Sequence, residues 1–412
     1  MNTVSRVIRN TGFLYMKMGV TMFVSLYATR LILNALGVDD FGIFNMVAGV
    51  IAMLAFLNAS MAAATQRFMS YAEGEGDPEK QKIVFNISVV LHLAIAVMVG
   101  ILLYAAAPIL FGHVLNIPED RVFAARCVYW AMIASTVFGI LGVPCEAVLN
   151  AHENMLYFAV IGVLESFLKL GAALLVVHVL ADKLILYGVL MAGISILAMT
   201  AMLVYCRRNY AECVIAPRRY WKRGVFREMG SFAGWNFTVS ASSMLSEYGV
   251  GIVLNHFFGV ALNAAQAVAQ QINGQTMAFS GTMLKALNPV ISKSEGAGNR
   301  GLMLRASLSG CKFAYLLMAV FAIPLILEAP GLLGLWLHSV PAWAVLFCRL
   351  QLARTLLEQL FLSLGAAIYA EGNIRLYTLV KTGSGILFLG ATWGFYRMGW
   401  PPCMMYVLSL IH

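Results

Sequence analysis

The sequence predicts an all-α protein that crosses a membrane about twelve times, with two six-helix lobes around a central cavity. Hydrophobic residues make up 61% of the chain and charged residues 11%, against roughly 45–50% and ~25% in soluble domains. Apolar stretches of about 20 residues, the length of a membrane-spanning helix, recur along the whole chain. Strands of a membrane barrel would alternate apolar and polar residues, and these stretches do not.

Twelve apolar segments are interpreted as the membrane helices. They are residues 11–35, 41–64, 83–107, 122–148, 156–179, 184–205, 229–255, 263–286, 306–327, 342–368, 375–396 and 402–412. The first follows basic residues without a small-residue cleavage site, so we expect a retained span rather than a signal peptide. The last is too short to cross about 30 Å of hydrocarbon as a straight helix. We therefore expect either a truncated chain or an incomplete final helix.

An internal repeat supports the division into two lobes. Ser70–Asp77 reads Ser-Tyr-Ala-Glu-Gly-Glu-Gly-Asp, and 222 residues later Ser292–Asn299 reads Ser-Lys-Ser-Glu-Gly-Ala-Gly-Asn. Both segments close the second apolar helix of a half-chain. Leu33-Asn34 also matches Leu254-Asn255, one residue out of step. Such a repeat in an apolar chain indicates two similar membrane lobes that face each other, an arrangement common in transporters.

A basic segment at 206–228 separates an N-lobe, residues 1–205, from a C-lobe, residues 229–412. Six spans precede this linker, so both lobes begin on the same side and the repeat is parallel. With the N-terminus inside, the inner loops hold 17 of the 28 Lys and Arg residues and the outer loops hold three. This asymmetry predicts a cytoplasmic N-terminus by the positive-inside rule. The net charge of +9 is therefore a topology signal, and we expect no nucleic-acid partner.

Residue types that carry catalysis or bind metals are not grouped in the sequence. The seven cysteines show no CxxC pair and no metal-ligand spacing, so we expect no disulfide, no metal and no cofactor. The seven histidines are scattered. The two Glu-Gly-x-Gly turns lack the lysine and the preceding strand of a phosphate-binding loop. We therefore expect a protein that is not an enzyme.

Two cations on the first predicted helix, Lys17 and Arg30, are candidate binding residues. A lipid-facing charge near the bilayer centre costs about 2.5–3.5 kcal/mol, and the helix carries no carboxylate to pair with them. Lys17 heads a polar stripe with Thr21 and Ser25, at intervals of four residues. Arg30 would lie about 20 Å from Lys17 along a straight helix and on another face. Either cation could therefore lie outside the cavity.

The seventh predicted helix repeats this polar stripe. Thr238, Ser242 and Ser246 each lie 221 residues after a member of the first stripe. Two lobes with the same polar edge are expected to present it to a shared cavity. The edge is cationic in the first lobe and uncharged in the second until Glu247.

Five amides crowd the middle of the eighth predicted helix. They are Gln266, Gln270, Gln271, Asn273 and Gln275. Unpaired amides are costly in lipid, so these side chains need partners. Two interpretations remain open: interhelical hydrogen bonds, worth ~0.6 kcal/mol each, or a hydrophilic wall for a hydroxyl-rich ligand.

Lys169 also has two interpretations. It follows Glu165 by four residues, so the two side chains can form an ion pair on one helix face. Alternatively, Lys169 lines the cavity. Arg354 and Glu358 have the same spacing, and for them we favour structural pairing.

Several motifs together resemble the polysaccharide-transporter family, the O-antigen and capsule repeat-unit flippases of the multidrug/oligosaccharidyl-lipid/polysaccharide (MOP) superfamily. They are Arg-Leu-Ile-Leu-Asn-Ala-Leu-Gly-Val-Asp-Asp-Phe-Gly-Ile-Phe at 30–44, Gln66-Arg67, Asn-Ala-His-Glu-Asn at 150–154, and Lys-Leu-Gly at 169–171. The resemblance covers nearly the whole chain in order. It implies two bundles of the MATE-like type, twelve to fourteen helices and a cationic cavity. It also implies that lipid-linked oligosaccharides are turned over by alternating access.

The resemblance implies an undecaprenyl-pyrophosphate-linked glycan as the cargo, in the bacterial inner membrane, for O-antigen, lipopolysaccharide or capsule synthesis. Lys17, Arg30 and Lys169 would then neutralise the pyrophosphate, and the polar edges and helix 8 amides would contact sugar hydroxyls. Membrane lipid and other polysaccharide-assembly proteins are the further partners considered.

Two alternatives share the two-lobe plan. A drug or cation exporter of the MATE type would need a carboxylate in the cavity, and Glu247 is the candidate for coupling to protons or sodium. A peptidoglycan-precursor flippase would carry a different lipid-linked sugar.

Overall fold

The computed structural model describes residues 3–52, 54–115, 117–179, 182–337 and 340–411, and all regular elements within these ranges are helical. The chain divides into two units, Met1–Ala233 and Gly234–His412. The predicted all-α class is confirmed. The basic linker 206–228 falls within the first unit.

The helices follow one another along both units. They are α1 Thr3–Ala52, α2 Ala55–Glu75, α3 Pro78–Ile109, α4 Val122–Ala151, α5 Met155–His178, α6 Lys183–Asn209, α7 Arg223–Phe258, α8 Val260–Gly296, α9 Arg300–Leu327, α10 Ala329–Trp336, α11 Ala344–Gln359, α12 Leu362–Glu371, α13 Arg375–Arg397 and α14 Met404–Leu408. A final 3₁₀ turn covers Ser409–Ile411.

Each of the twelve predicted segments coincides with helix in the described part of the chain. The first lies in α1, which breaks at Gly37, and the second runs from the part of α1 after this break into α2. The segment 342–368 is divided into α11 and α12. The eight-residue helix α10 was not predicted, because it is shorter than a membrane span.

Length and composition alone identify seven described helices that could cross a membrane, or eight if Asp39–Ala52 and Phe56–Glu75 form one bent span. Of the remaining predicted spans, 342–368 is divided into helices of 16 and 10 residues, and 402–412 holds a helix of 5 residues, so each of these helices is too short to cross a membrane. Helix α8 is rich in amides, and α13 carries three cations, Arg375, Lys381 and Arg397.

Paired glycines show the internal repeat in the backbone itself. Gly37 has φ 80° and ψ 174°, and Gly259 has φ 81° and ψ −178°. Gly76 and Gly298 have φ 69° and 71°. Both pairs are 222 residues apart, and positive φ is accessible to glycine because it has no Cβ. The repeat is therefore present in the backbone conformation as well as in the amino-acid sequence.

The first unit has close contacts between helices, as expected where van der Waals packing holds membrane helices together. In one core cluster, Val128 and Tyr129 of α4 pack with Val99 of α3 and Leu184 of α6. A Cβ on Gly188 of α6 would lie 3.0 Å from Val128 Cγ2, so glycine permits this approach.

A second cluster in the first unit joins α1 to α5 and positions the candidate site. Ile32 of α1 is 1% exposed, and it packs with Ala173 and Val176 of α5. This contact places one face of α1 along α5.

The second unit has a core of its own. Leu254 of α7, Ala265 and Ala269 of α8, and Phe347 of α11 are fully buried in it. The ring of Tyr406 in α14 lies 5.3 Å from the ring of Phe347. The short last helix is therefore packed into this unit.

Candidate functional site

Lys17 lies against α5 in the first unit. Its ammonium nitrogen is 3.8 Å from the ring centroid of Phe158, a cation–π distance. Gly162, one turn further along α5, provides the space: a Cβ at this position would lie 2.1 Å from Lys17 Cε. Lys17 is therefore seated in a notch of α5, and the sequence analysis did not identify Gly162 as its partner.

The other members of the α1 stripe have different surroundings. Thr21 Oγ1 lies 3.3 Å from the hydroxyl of Ser166 on α5, while Ser25 is exposed. Arg30 is also exposed. The structure thus brings Lys17 and Thr21 together on α5 and does not bring Arg30 to them.

Lys169 forms an ion pair with Glu165, with Nζ 2.7 Å from Oε1. Both side chains are about one-third exposed, since their exposed fractions are 38% and 30%. The pair Arg354–Glu358 is also formed, at 2.7 Å. The pairing favoured for Arg354 and Glu358 is therefore confirmed. Lys169 forms the ion pair of its first interpretation and keeps a partly exposed side chain.

The α7 stripe in the second unit is only partly accessible. Thr238 is exposed and donates its hydroxyl to the carbonyl oxygen of Gly234 at 3.1 Å. Ser242 and Ser246 are buried, at 9% and 6% exposure. Glu247, the coupling candidate, is exposed.

The five amides of α8 occupy two faces of the helix. At 100° per residue, Gln266, Gln270 and Asn273 lie within about 60° of one another. Gln271 and Gln275 lie about 100–180° away from the members of that group. The first group is buried or half-buried, whereas Gln271 and Gln275 are exposed.

One of these amides forms an interhelical hydrogen bond, as in the first of the two interpretations given for the α8 amides. The hydroxyl of Thr355 on α11 donates to Asn273 Oδ1 at 2.7 Å. Gln271 and Gln275 are the exposed members of the set.

The structure also contains a charged cluster that the sequence analysis did not identify. His152, in the turn between α4 and α5, places Nε2 2.5 Å from Glu212 Oε1 and Nδ1 3.4 Å from Glu73 Oε1. Its ring stacks on Tyr210 with centroids 4.4 Å apart. Gln81 donates to Glu73 Oε2 at 2.8 Å. This His152 cluster joins the end of α2, the α4–α5 turn and the segment after α6.

The pKa of His152 reflects two opposing effects. Burial lowers it, because it disfavours the charged ring, but the hydrogen bonds to Glu212 and Glu73 outweigh burial and raise the pKa from 6.5 to about 9. His152 is therefore an imidazolium at neutral pH, and the cluster is a charge-assisted connection between three segments.

Glu153 stands next to this cluster with an uncommon backbone. Its φ is 55°, in the left-handed region. Its carboxylate lies 2.7 Å from Arg6 Nε, and its carbonyl oxygen accepts from Asn10 Nδ2 at 3.1 Å. In the second unit, the matching sequence Ala-Glu-Gly-Asn at 370–373 has Gly372 at φ 96°. Glu153 of the first unit therefore stands where the second unit has Gly372. Its carboxylate anchors the start of α1 through Arg6.

At the opposite end of the first unit, Arg121 joins two turns. Its guanidinium contacts the carboxylates of Asp40, near the break in α1, and Asp182, the N-cap of α6. Asp40 belongs to the motif at 30–44. Its contact with Arg121 gives this part of the motif a structural role.

Within the described ranges, no group of three His, Cys, Asp or Glu side chains is arranged to hold a metal ion. All seven cysteines are free thiols.

Comparisons with known structures agree with the helical architecture. The chain is similar to a crystal structure of MATE in complex with MaD3S, with a TM-score of 0.81 and 14% identity over 98% of this chain and 93% of that one. For the Vibrio cholerae MATE transporter VcmN in the bent form, the TM-score is 0.78 and the identity 18%, over 99% and 92%.

The structure also resembles the outward-facing conformation of a multidrug resistance MATE family transporter of the MOP superfamily. The TM-score is 0.82 and the identity 15%, over 98% of this chain and 91% of that one. At these identities the likeness shows the fold alone, and it confirms the predicted MATE-like class.

Sequence comparison identifies the family. The model of a family described as polysaccharide biosynthesis protein matches residues 7–295, which is more than half of the chain. No match to a curated protein sequence was found. The chain therefore belongs to the polysaccharide biosynthesis protein family, as the motifs had indicated.

Proposed function

We propose that this protein is a flippase that moves undecaprenyl-pyrophosphate-linked oligosaccharide repeat units across the bacterial inner membrane by alternating access. The product would supply surface-polysaccharide assembly, such as O-antigen or capsule. The observation that carries the proposal is Lys17, a cation within a membrane helix that is seated in the Gly162 notch rather than directed at lipid. The family match supports a glycan cargo.

The cargo's chemistry fits the polar groups. Its anionic head needs cations, and Lys17, Arg30 and Lys169 are the proposed ones. Its sugar hydroxyls need hydrogen-bonding groups, which the polar edges of α1 and α7 and the amides of α8 would provide, in particular Gln271 and Gln275. The apolar tail can stay in lipid. A polar path then suffices without a chemical step, because the main barrier is moving the head through hydrocarbon.

The proposed orientation has the N-terminus and the basic linker in the cytoplasm. The distribution of Lys and Arg over the loops supports it. In this orientation the His152 cluster lies at the cytoplasmic end of the first unit.

Deletion of the gene in its host tests the function. Lipid-linked glycans are quantified by mass spectrometry together with surface polysaccharide. Accumulation of one undecaprenyl-pyrophosphate oligosaccharide and loss of the surface polymer are expected. Accumulation of a peptidoglycan precursor would instead show that the protein is a peptidoglycan-precursor flippase.

A double substitution tests the cationic site. Lys17→Ala with Arg30→Ala removes both cations of α1, and we expect loss of translocation while the protein still inserts. The two single variants show which cation is required, since Arg30 is exposed and apart from Lys17. Normal surface glycan from the double variant would refute the cationic site.

The second candidate is a MATE-type exporter of drugs or cations. The fold similarity and the exposed carboxylate of Glu247 favour it. Unchanged lipid-linked glycan pools in the deletion strain, with greater sensitivity to cationic drugs, would support this function. Glu247→Gln would then be expected to abolish export.

A further inference from the structure

A groove of about 530 Å³ lies between α5 and α6 in the first unit. Tyr157 of α5 and a stripe of α6 line it, and the α6 residues recur every three or four positions over three turns. These α6 residues are Leu197, Thr200, Ala201, Val204, Tyr205, Arg208 and Asn209.

The body of the groove is apolar and open to the surroundings of the helices. Leu197 is 56% exposed and Val204 is 44% exposed. The rings of Tyr157 and Tyr205 stack with centroids 3.5 Å apart, and the Tyr157 hydroxyl donates to the carbonyl oxygen of Ala201 at 3.3 Å. Since α5 and α6 are both apolar enough to cross a membrane, the groove would open toward acyl chains rather than toward water.

One end of the groove is cationic. Arg208 and Asn209 stand in the last turn of α6, and Arg208 is exposed. No acidic residue lines the groove, and Arg208 forms no ion pair with any residue that the structure describes. An anionic group beside an apolar chain is the complement of such a surface.

We propose that this groove binds an anionic phospholipid. The phosphate contacts the Arg208 guanidinium through charge-assisted hydrogen bonds, and Asn209 adds a neutral donor. One acyl chain lies along Leu197, Ala201 and Val204. The site is separate from the proposed cargo site on α1, and its occupation does not depend on the proposed flippase function.

The chain offers two matched pairs of variants for a test. Arg208→Gln removes the groove's cation, and Arg207→Gln removes an equal charge one residue earlier, about 100° around the helix. Val204→Trp fills the groove from an exposed position. Val189→Trp makes the same change on α6 at a site that is 53% exposed and outside the groove.

Native mass spectrometry of the purified full chain, titrated with phosphatidylglycerol or phosphatidylcholine, measures the binding. The wild-type protein is expected to retain one phosphatidylglycerol in preference to phosphatidylcholine. Arg208→Gln is expected to weaken phosphatidylglycerol binding about fivefold, and Val204→Trp to weaken binding of both lipids about tenfold or more. Arg207→Gln and Val189→Trp should change affinity less than about twofold.

Three results would overturn the proposal. Equal losses in Arg207→Gln and Arg208→Gln would mean that the lipid responds only to general surface charge. Unchanged binding in Val204→Trp would exclude the groove. Displacement of phosphatidylglycerol by equimolar undecaprenyl phosphate in wild type, absent in Val204→Trp, would assign the groove to a polyprenyl lipid. The measurement involves no translocation, so its failure leaves the proposed flippase function untouched.

Discussion

At the scale of single residues, the contact between Lys17 and Gly162 shows how a charge is accommodated in a membrane helix. The lysine stem packs where a side chain is missing, and the ammonium reaches the Phe158 ring. A flexible lysine can move away from a new methyl group, so the position of the charge can be changed without removing the charge.

Gly162→Ala is expected to displace Lys17 and to reduce transport at least about fivefold, with stability changed by less than about 1 kcal/mol. Translocation of lipid-linked glycan and thermal unfolding are measured side by side. Gly171→Ala on the same helix is the control, because a Cβ there meets nothing within 4 Å. Equal activity of both variants and wild type would mean that the position of Lys17 is not important.

His152 gives a residue-scale prediction about pH. Its pKa is raised from 6.5 to about 9 in the folded protein. The stability that the imidazolium contributes is therefore complete below about pH 6.5 and is lost as the pH rises through 9. Its neighbours are the carboxylates of Glu212 and Glu73 and the ring of Tyr210, and the pair Arg6–Glu153 lies one residue away.

We expect the unfolding temperature of the wild-type protein to fall between pH 6.5 and 9.5 by several degrees more than that of His152→Gln. The difference corresponds to about 1–3 kcal/mol. Glutamine keeps a hydrogen-bonding group but cannot be protonated, so it is the matched control. Parallel pH profiles of the two proteins would show that the proton on His152 does not hold the three segments together.

At the scale of elements, α8 shows what a sequence can and cannot predict about a polar helix. The composition shows that five amides need partners, and helical periodicity alone separates them into two faces. It does not show which face is packed. The partner of Asn273 is Thr355 on α11, 82 residues away, and no local pattern predicts this contact.

The two faces of α8 are expected to respond differently to substitution. Gln271→Ala with Gln275→Ala should lower transport severalfold with little loss of stability, because both side chains are exposed. Asn273→Ala should instead cost about 0.6–1 kcal/mol through the lost hydrogen bond to Thr355. Thermal unfolding and glycan translocation separate these effects. A transport loss confined to Asn273→Ala would place the ligand-facing wall elsewhere.

The same limit applies to the ends of the first unit. The motif Asn-Ala-His-Glu-Asn at 150–154 was recognised as a family feature, but its use was not predicted. His152 forms ion pairs with Glu73 and Glu212 on other segments. Arg121 forms ion pairs with Asp40 and Asp182. Contacts within four residues, such as Lys169–Glu165, were predictable because one helix fixes their geometry. Contacts between distant segments depend on packing that the sequence does not display.

At the scale of the whole molecule, the repeat is the feature that the sequence predicted best. Span positions follow from apolar length, which the thickness of a membrane sets. The repeat of Glu-Gly-x-Gly predicted two similar lobes, and the matching glycines extend the repeat to backbone angles. Departures between the halves are where function is expected: Lys17 stands where the second half has Thr238, and Glu153 where it has Gly372.

The repeated break at Gly37 and Gly259 gives a prediction that applies to both halves. Their φ near 80° with ψ near 180° is a conformation that side chains bearing a Cβ essentially do not adopt. Gly37→Ala and Gly259→Ala are each expected to cost about 1–3 kcal/mol, seen as lowered unfolding temperatures. Gly19→Ala, in a helical part of α1 with open space around its Cβ, should be neutral or slightly stabilising. Destabilisation by Gly37→Ala with no effect of Gly259→Ala would show that the two breaks are not structurally equivalent. The two halves would then share the sequence repeat, but the two glycine conformations would not contribute equally to stability.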